Sequence, residues 1–170
     1  MGFLATSIVF LRKYGYNLWL WFDLMMPSIL FGLIILQLAN FMMQFSLGTP
    51  LGLDIPNDHS LAEYVEYRYR PTGFEAYQYF QPVALYQAFA YSIVFIISVL
   101  CLLINRKYKF LAEGTVFLFS VILMAIIRFG IGFMYFSVNK DMLLYPMQWI
   151  ALTVMIATVF IYVVKRFQHN

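Results

Sequence analysis

Four apolar stretches, Leu18 to Met43, Pro82 to Ile104, Leu111 to Phe136 and Met142 to Val164, each run for 23 to 26 residues. A helix rises about 1.5 Å per residue and the hydrocarbon layer of a bilayer is about 30 Å thick, so each stretch is long enough to cross it with some tilt. A single 170-residue core could not bury that much apolar surface, so lipid must cover much of it. Charged residues make up 11% of the chain, less than half the roughly 25% usual in soluble domains. The chain therefore reads as an all-α, polytopic integral membrane helix bundle, with residues 1–170 forming a single membrane domain. A fifth apolar stretch, Gly2 to Leu11, is ten residues long and covers only about half the layer, so it reads as a short N-terminal apolar helix, half-spanning or interfacial. No basic residue precedes it and no small-residue cleavage site follows, which argues against a signal peptide.

The charges orient the bundle. If all five stretches cross, Arg12, Lys13, Arg106, Lys107, Lys109, Lys165 and Arg166 fall on one side. The other side holds Arg68, Arg70 and Lys140 among six acidic residues. Cytoplasmic loops carry the Lys/Arg excess, so the expectation is a cytoplasmic C-terminus and an outside loop at 44–81. A net charge of +3 gives no reason to expect nucleic acid as a partner. Cys101 is the single cysteine, which excludes an intramolecular disulfide. His59 and His169 have no second ligand at metal spacing, so no metal site is expected.

The loop at 44–81 is too long for a simple connector and is expected to carry its own structure. Its first part, Gly48 to Pro56, is rich in glycine and proline and reads as turns. Ser60 and Glu63 stand at capping-box spacing, which predicts a short tyrosine-rich amphipathic helix over about Leu61 to Tyr69.

Polar residues inside apolar stretches are costly, and each has a structural and a functional reading. Arg128 lies eight residues inside the outer end of its stretch, about 12 Å deep. It either snorkels and pairs with backbone carbonyls, or anchors a phosphate or carboxylate through its planar fork of donors. Gln37, Asn40 and Gln44 are spaced by three and four, on one helix face, and Tyr86 and Gln87 lie just inside the outer end of the Pro82 to Ile104 stretch. These residues either glue helices together or, turned toward Arg128, line a polar pocket. Gln148 neighbours Trp149 and reads as interfacial, while Asp23 and Glu113 read as solvated or paired with the basic loops. Gly130 and Gly132 permit close helix approach or leave room for a ligand.

The order of these features resembles the C-terminal two thirds of the prolipoprotein diacylglyceryl transferase family. Asp23 to Pro27 is similar to the family's Asp-x-x-x-Pro, and Gln37-Leu38-Ala39-Asn40-Phe41 to its Arg-x-Gly-Asn-Phe. Pro50-Leu51-Gly52-Leu53-Asp54-Ile55 is similar to a Pro-Trp-Gly-Leu-Glu-Ile strip, and Gln81-Pro82-Val83-Ala84-Leu85-Tyr86-Gln87 to His-Pro-x-x-Leu-Tyr-Glu. Arg128-Phe129 matches an Arg-Phe motif, and Gln148 the glutamine of a late Gly-Gln motif. The resemblance implies a membrane enzyme moving a diacylglyceryl group from phosphatidylglycerol to the lipobox cysteine of a prolipoprotein. It also implies a lipid or anion site at Arg128, Asn40, Tyr86, Gln37 and Gln87. Against the family pattern, the motif arginine is Gln37, the motif glutamate is Gln87, a further acid is Phe45, and a later Glu and Arg are Gly132 and Tyr135. The family's first helices and its His-Gly-Gly motif are not matched either.

An amide keeps the shape of a carboxylate and removes the base. The expectation is therefore a catalytically degenerate relative in the bacterial cytoplasmic membrane, with no assigned catalytic residue. It would serve as a non-catalytic subunit or scaffold of a larger membrane complex. It would need no cofactor beyond a bound phospholipid, with membrane lipids such as phosphatidylglycerol and other membrane subunits as partners. The alternative is an active phosphatidylglycerol-prolipoprotein diacylglyceryl transferase.

Overall fold

The computed structural model describes residues 13–52, 61–135 and 146–168, so the short N-terminal stretch lies outside the described residues. Four helices are long and apolar enough to cross a membrane: α1 (Leu18–Met42), α2 (Val83–Tyr108), α3 (Thr115–Gly132) and α4 (Pro146–Gln168). Asn17 caps α1, its Oδ1 accepting the Trp19 N–H at 3.0 Å. Pro82 precedes α2 and Pro146 opens α4, both positions where a missing N–H costs little. Fewer than a third of the residues in each span are buried within the chain. Rows of exposed Leu, Ile, Phe and Met are left for lipid or for other proteins.

α2 packs on α1 and on α3, and α3 packs on α1 and on α4. The core is Met26, Leu30 and Val94, with Phe117, Val121 and Met124 closing over it. At mid-depth the Ser98 and Ser120 hydroxyls meet at 2.7 Å across α2 and α3. Ser98 already donates to Val94 O at 2.8 Å, so Ser120 is the donor of the pair.

Asp23 departs from its expected solvated place. It is 2% exposed, and its carboxyl oxygens accept the Gly114 N–H at 2.6 Å and the Phe117 N–H at 2.7 Å. α1 thus caps the first turn of α3 from a distance of more than ninety residues, satisfying donors that have no partner within α3. Gly114 makes this possible: its φ of +82° is left-handed, and a Cβ there would stand 2.6 Å from the Trp19 ring. The Lys165 ammonium lies 4.3 Å over that ring, bringing α4 to the same corner. Glu113 is exposed and takes a hydrogen bond from the Asn17 amide.

Beyond the other end of the helices lies a three-stranded antiparallel sheet in the order β1 (Pro50–Gly52), β3 (Tyr79–Phe80), β2 (Glu63–Tyr64). The helix predicted over Leu61 to Tyr69 is replaced by β2 and a single 3-10 turn at Tyr67–Tyr69. The physical reason is visible in the burial: Glu63 and Val65 face inward and Tyr64 and Glu66 outward, a period of two that suits a strand beside β3. Arg70 holds the turn closed, its guanidinium donating to Val65 O at 3.0 Å and Glu75 O at 2.8 Å.

The segment leading into β1 meets the end of α3. The Thr49 N–H donates to Met134 O at 3.1 Å and Gly48 bridges Tyr135, so the backbone after Gly132 pairs with that segment rather than continuing the helix. Arg128 consequently lies four residues, about 6 Å, from the end of α3, half the depth the apolar stretch predicts.

Replacing Asp23 by Ala removes two hydrogen bonds to the α3 N-terminus and should destabilise the bundle by about 1–2 kcal/mol. Asn, which keeps one acceptor, should recover part of the loss; thermal unfolding in detergent measures both. A second prediction concerns Glu63, which is 6% exposed with one carboxyl oxygen lacking a partner among the described residues. Burial pushes its pKa up from 4.5 to about 7. The folded state then binds a proton that the unfolded state has released, so this contribution is fully present below pH 4.5 and is lost as pH rises through 7. Melting temperature should fall over that window, and Glu63→Gln should flatten the fall.

Candidate functional site

A cavity of about 740 Å³ lies among α1, α3 and the start of α4, at the sheet end of the bundle. Apart from Lys165 over Trp19 at the opposite end, α1 and α4 do not pack against each other among the described residues, which leaves a lateral gap between them beside the cavity. Leu36 of α1 and Met147 of α4, both more than half exposed, stand at that gap.

Three of the residues singled out by sequence meet here: Arg128 from α3, and Gln37 and Asn40 from α1. The i, i+3 spacing places the two amides together, and Asn40 Nδ2 donates to Gln37 Oε1 at 3.3 Å. Arg128 is half-buried, and its guanidinium makes no hydrogen bond or ion pair among the described residues. The C-terminal end of α3, close by, favours a cation there. Of the two structural alternatives for this residue, pairing with backbone carbonyls is not observed among the described residues, while its place four residues from the end of α3 keeps snorkelling within reach.

Gln87 stands directly behind the cavity wall, completely buried. Its Nε2 donates to the Tyr91 hydroxyl at 2.7 Å, and its Oε1 accepts the Tyr135 hydroxyl at 2.9 Å. Both tyrosines line the cavity. Tyr135 spends its proton on Gln87, whereas Tyr91 accepts from Gln87 and keeps its O–H to donate. Tyr91 was missed in the sequence, although its i+4 spacing from Gln87 places both on one face of α2.

Two of the expected residues lie elsewhere. Tyr86 lines a separate, apolar cavity and donates to Leu61 O at 3.4 Å, holding the loop to α2. Gln44 lies past the end of α1 at φ +54°, and its amide donates to Tyr64 O at 2.8 Å and accepts the Glu66 N–H at 3.2 Å. It therefore closes the free edge of β2 instead of joining Gln37 and Asn40. Gln148 also departs from its interfacial reading. It is 1% exposed and lies against Gly132, where a Cβ would stand 2.6 Å from its Cγ.

The cavity therefore offers a guanidinium, three side-chain amides (Gln37, Asn40 and Gln148), the Ser46 hydroxyl and a phenolic O–H, a donor-rich set suited to a ligand with several anionic acceptors. None of the described residues lining it is acidic or a histidine. Leu33, Leu36 and Met147 supply an apolar margin.

Replacing Gln87 by Ala strands two tyrosine hydroxyls and should cost about 1–3 kcal/mol of stability. Gln87→Glu should cost less, because one acceptor remains for Tyr135; unfolding in detergent tests the order.

The family model for prolipoprotein diacylglyceryl transferase matches residues 1–164 of the chain. A phosphatidylglycerol–prolipoprotein diacylglyceryl transferase of Shouchella clausii (strain KSM-K16) is 28% identical over 169 residues. That alignment covers 98% of this chain, which spans 57% of the length of that relative. No solved structure matches the chain.

Proposed function

The chain belongs to the prolipoprotein diacylglyceryl transferase family, and on that premise we propose that it is a catalytically degenerate member that holds an anionic phospholipid between α1 and α4. In this reading it works as a non-catalytic subunit or scaffold of a larger assembly in the bacterial inner membrane, with its C-terminus cytoplasmic and loop 44–81 outside. The observation that carries the reading is Arg128, a cation with no partner among the described residues, lining a cavity beside the gap between α1 and α4 whose described lining supplies donors and no acidic or histidine base.

Transfer of a diacylglyceryl group from phosphatidylglycerol to a thiol needs an anchor for the phosphate and a group that takes the thiol proton. Arg128, Gln37, Asn40 and Tyr91 suit the first task. An arginine stays protonated at any working pH and an amide has no basicity to offer, so neither suits the second. The phosphate would sit against Arg128, with its acyl chains leaving through the gap beside Leu36 and Met147. The scaffold part of the proposal is supported by the largely unburied apolar faces of all four helices, which are available to partner helices as well as to lipid.

The test is the chain in nanodiscs, with phosphatidylglycerol retention measured by native mass spectrometry and diacylglyceryl transfer measured on a lipobox peptide. Retention without transfer is expected, with Arg128→Ala weakening retention about 10- to 100-fold through loss of charge-assisted hydrogen bonds. Transfer that Arg128→Ala abolishes would establish an active transferase instead. Retention indifferent to Arg128 would remove the lipid from this cavity.

A further inference from the structure

At the opposite end of the bundle a groove of about 600 Å³ runs between α1 and α2. Its wall is Leu20 and Leu24 of α1 with Leu102 and Leu103 of α2, and its mouth carries Arg106 and Lys109. Leu24 precedes Gln37 by 13 residues, about 20 Å along α1, so this groove is separate from the Arg128 cavity. We infer that it is a second lipid site, taking an anionic phospholipid whose phosphate meets Arg106 and Lys109 while an acyl chain lies along the leucines.

The groove is graded as a phospholipid is. Leu24 and Leu103 are 60% and 59% exposed, so the chain itself does not cover this wall, and two cations stand where the leucines end. Those cations are uncommitted: neither the Arg106 nor the Lys109 side chain makes a hydrogen bond or ion pair among the described residues. Glu113, the acidic residue in the lining, is engaged by the Asn17 amide. The lining is therefore net positive by one charge, which favours a headgroup with net negative charge over one that carries its own amine.

The mouth is also built before any lipid arrives. Lys109 closes α2 in the left-handed conformation, φ +50°, at the position where helices ordinarily place glycine. Its N–H donates to Asn105 O at 2.9 Å. The Asn105 side chain then grips the next turn from both sides, accepting the Leu111 N–H at 2.8 Å and donating to Leu111 O at 3.3 Å. Complementing the helix dipole would explain cations at the end of α2. It explains neither the leucine groove below them nor the double clamp that fixes the turn carrying Lys109.

The chain's own tryptophans give a local readout. With Trp149→Phe, the remaining Trp19 and Trp21 both lie at this end of the bundle. Quenching of these two by brominated phosphatidylglycerol and brominated phosphatidylcholine, in vesicles of mixed composition, measures lipid selectivity at the groove. A preference of about fivefold or more for the anionic lipid is expected. It should vanish in Arg106→Gln/Lys109→Gln, and persist in Arg106→Lys/Lys109→Arg and in Arg128→Ala. Equal quenching by the two lipids, or a preference that survives loss of both charges, would overturn the site. A preference abolished by Arg128→Ala would do the same, assigning the selectivity to the other cavity. Failure at Arg128 alone, with the groove's preference intact, would bear on the proposed function and not on this site.

Discussion

Within a bilayer, backbone polar groups have no water to turn to, and this bundle meets that constraint at its helix ends with side chains from elsewhere in the chain. Asp23 takes donors at the start of α3, Asn105 takes both backbone groups of Leu111 after α2, and Gln44 takes the outward-facing groups of β2. Each of these contacts is made by a single side chain, and together they fix the start of α3, the turn after α2 and the edge of β2. The position of Arg128 follows from them. α3 is held at its first turn by Asp23, at mid-depth by Ser98, and just past its end by Thr49, which leaves little freedom to slide.

The spans were legible because length and hydropathy over 23 to 26 residues are enough to specify a membrane helix. The caps were not. Asp23 near a span end looks like a solvated charge, since the donors it serves lie ninety residues away and belong to a helix start that its sequence does not announce. The tyrosine-rich part of the loop failed for a different reason. Ser60 and Glu63 have capping-box spacing and the hydropathy of residues 61–66 does not alternate, so the strand becomes visible only with β3 present to pair with it. At the cavity, Arg128, Gln37 and Asn40 were legible as polar groups in apolar runs. Tyr91 was not, because a tyrosine in a membrane helix carries no sign of whether its hydroxyl points at lipid or at a glutamine.

Two departures from the family pattern also acquire a physical meaning. Gln87, which the resemblance sets against the motif glutamate, is buried between two hydroxyls, donating to one and accepting from the other, a pattern that an ionised carboxylate cannot reproduce. Gly132, which the resemblance sets against a later motif acid, has its side-chain space filled by Gln148, so any larger side chain there would require Gln148 to move as well.

At the sheet end α1 and α4 do not pack against each other among the described residues, which has a consequence for how such a cavity is filled. A pocket that opens sideways samples the leaflet, where a ligand is measured by its mole fraction among neighbouring lipids and not by its aqueous concentration. Its occupancy is then set by competition among headgroups already present in great excess. A shift in the cell's lipid synthesis would act on this protein as directly as a change of dose acts on a receptor in water, and detergent would act as one more competitor.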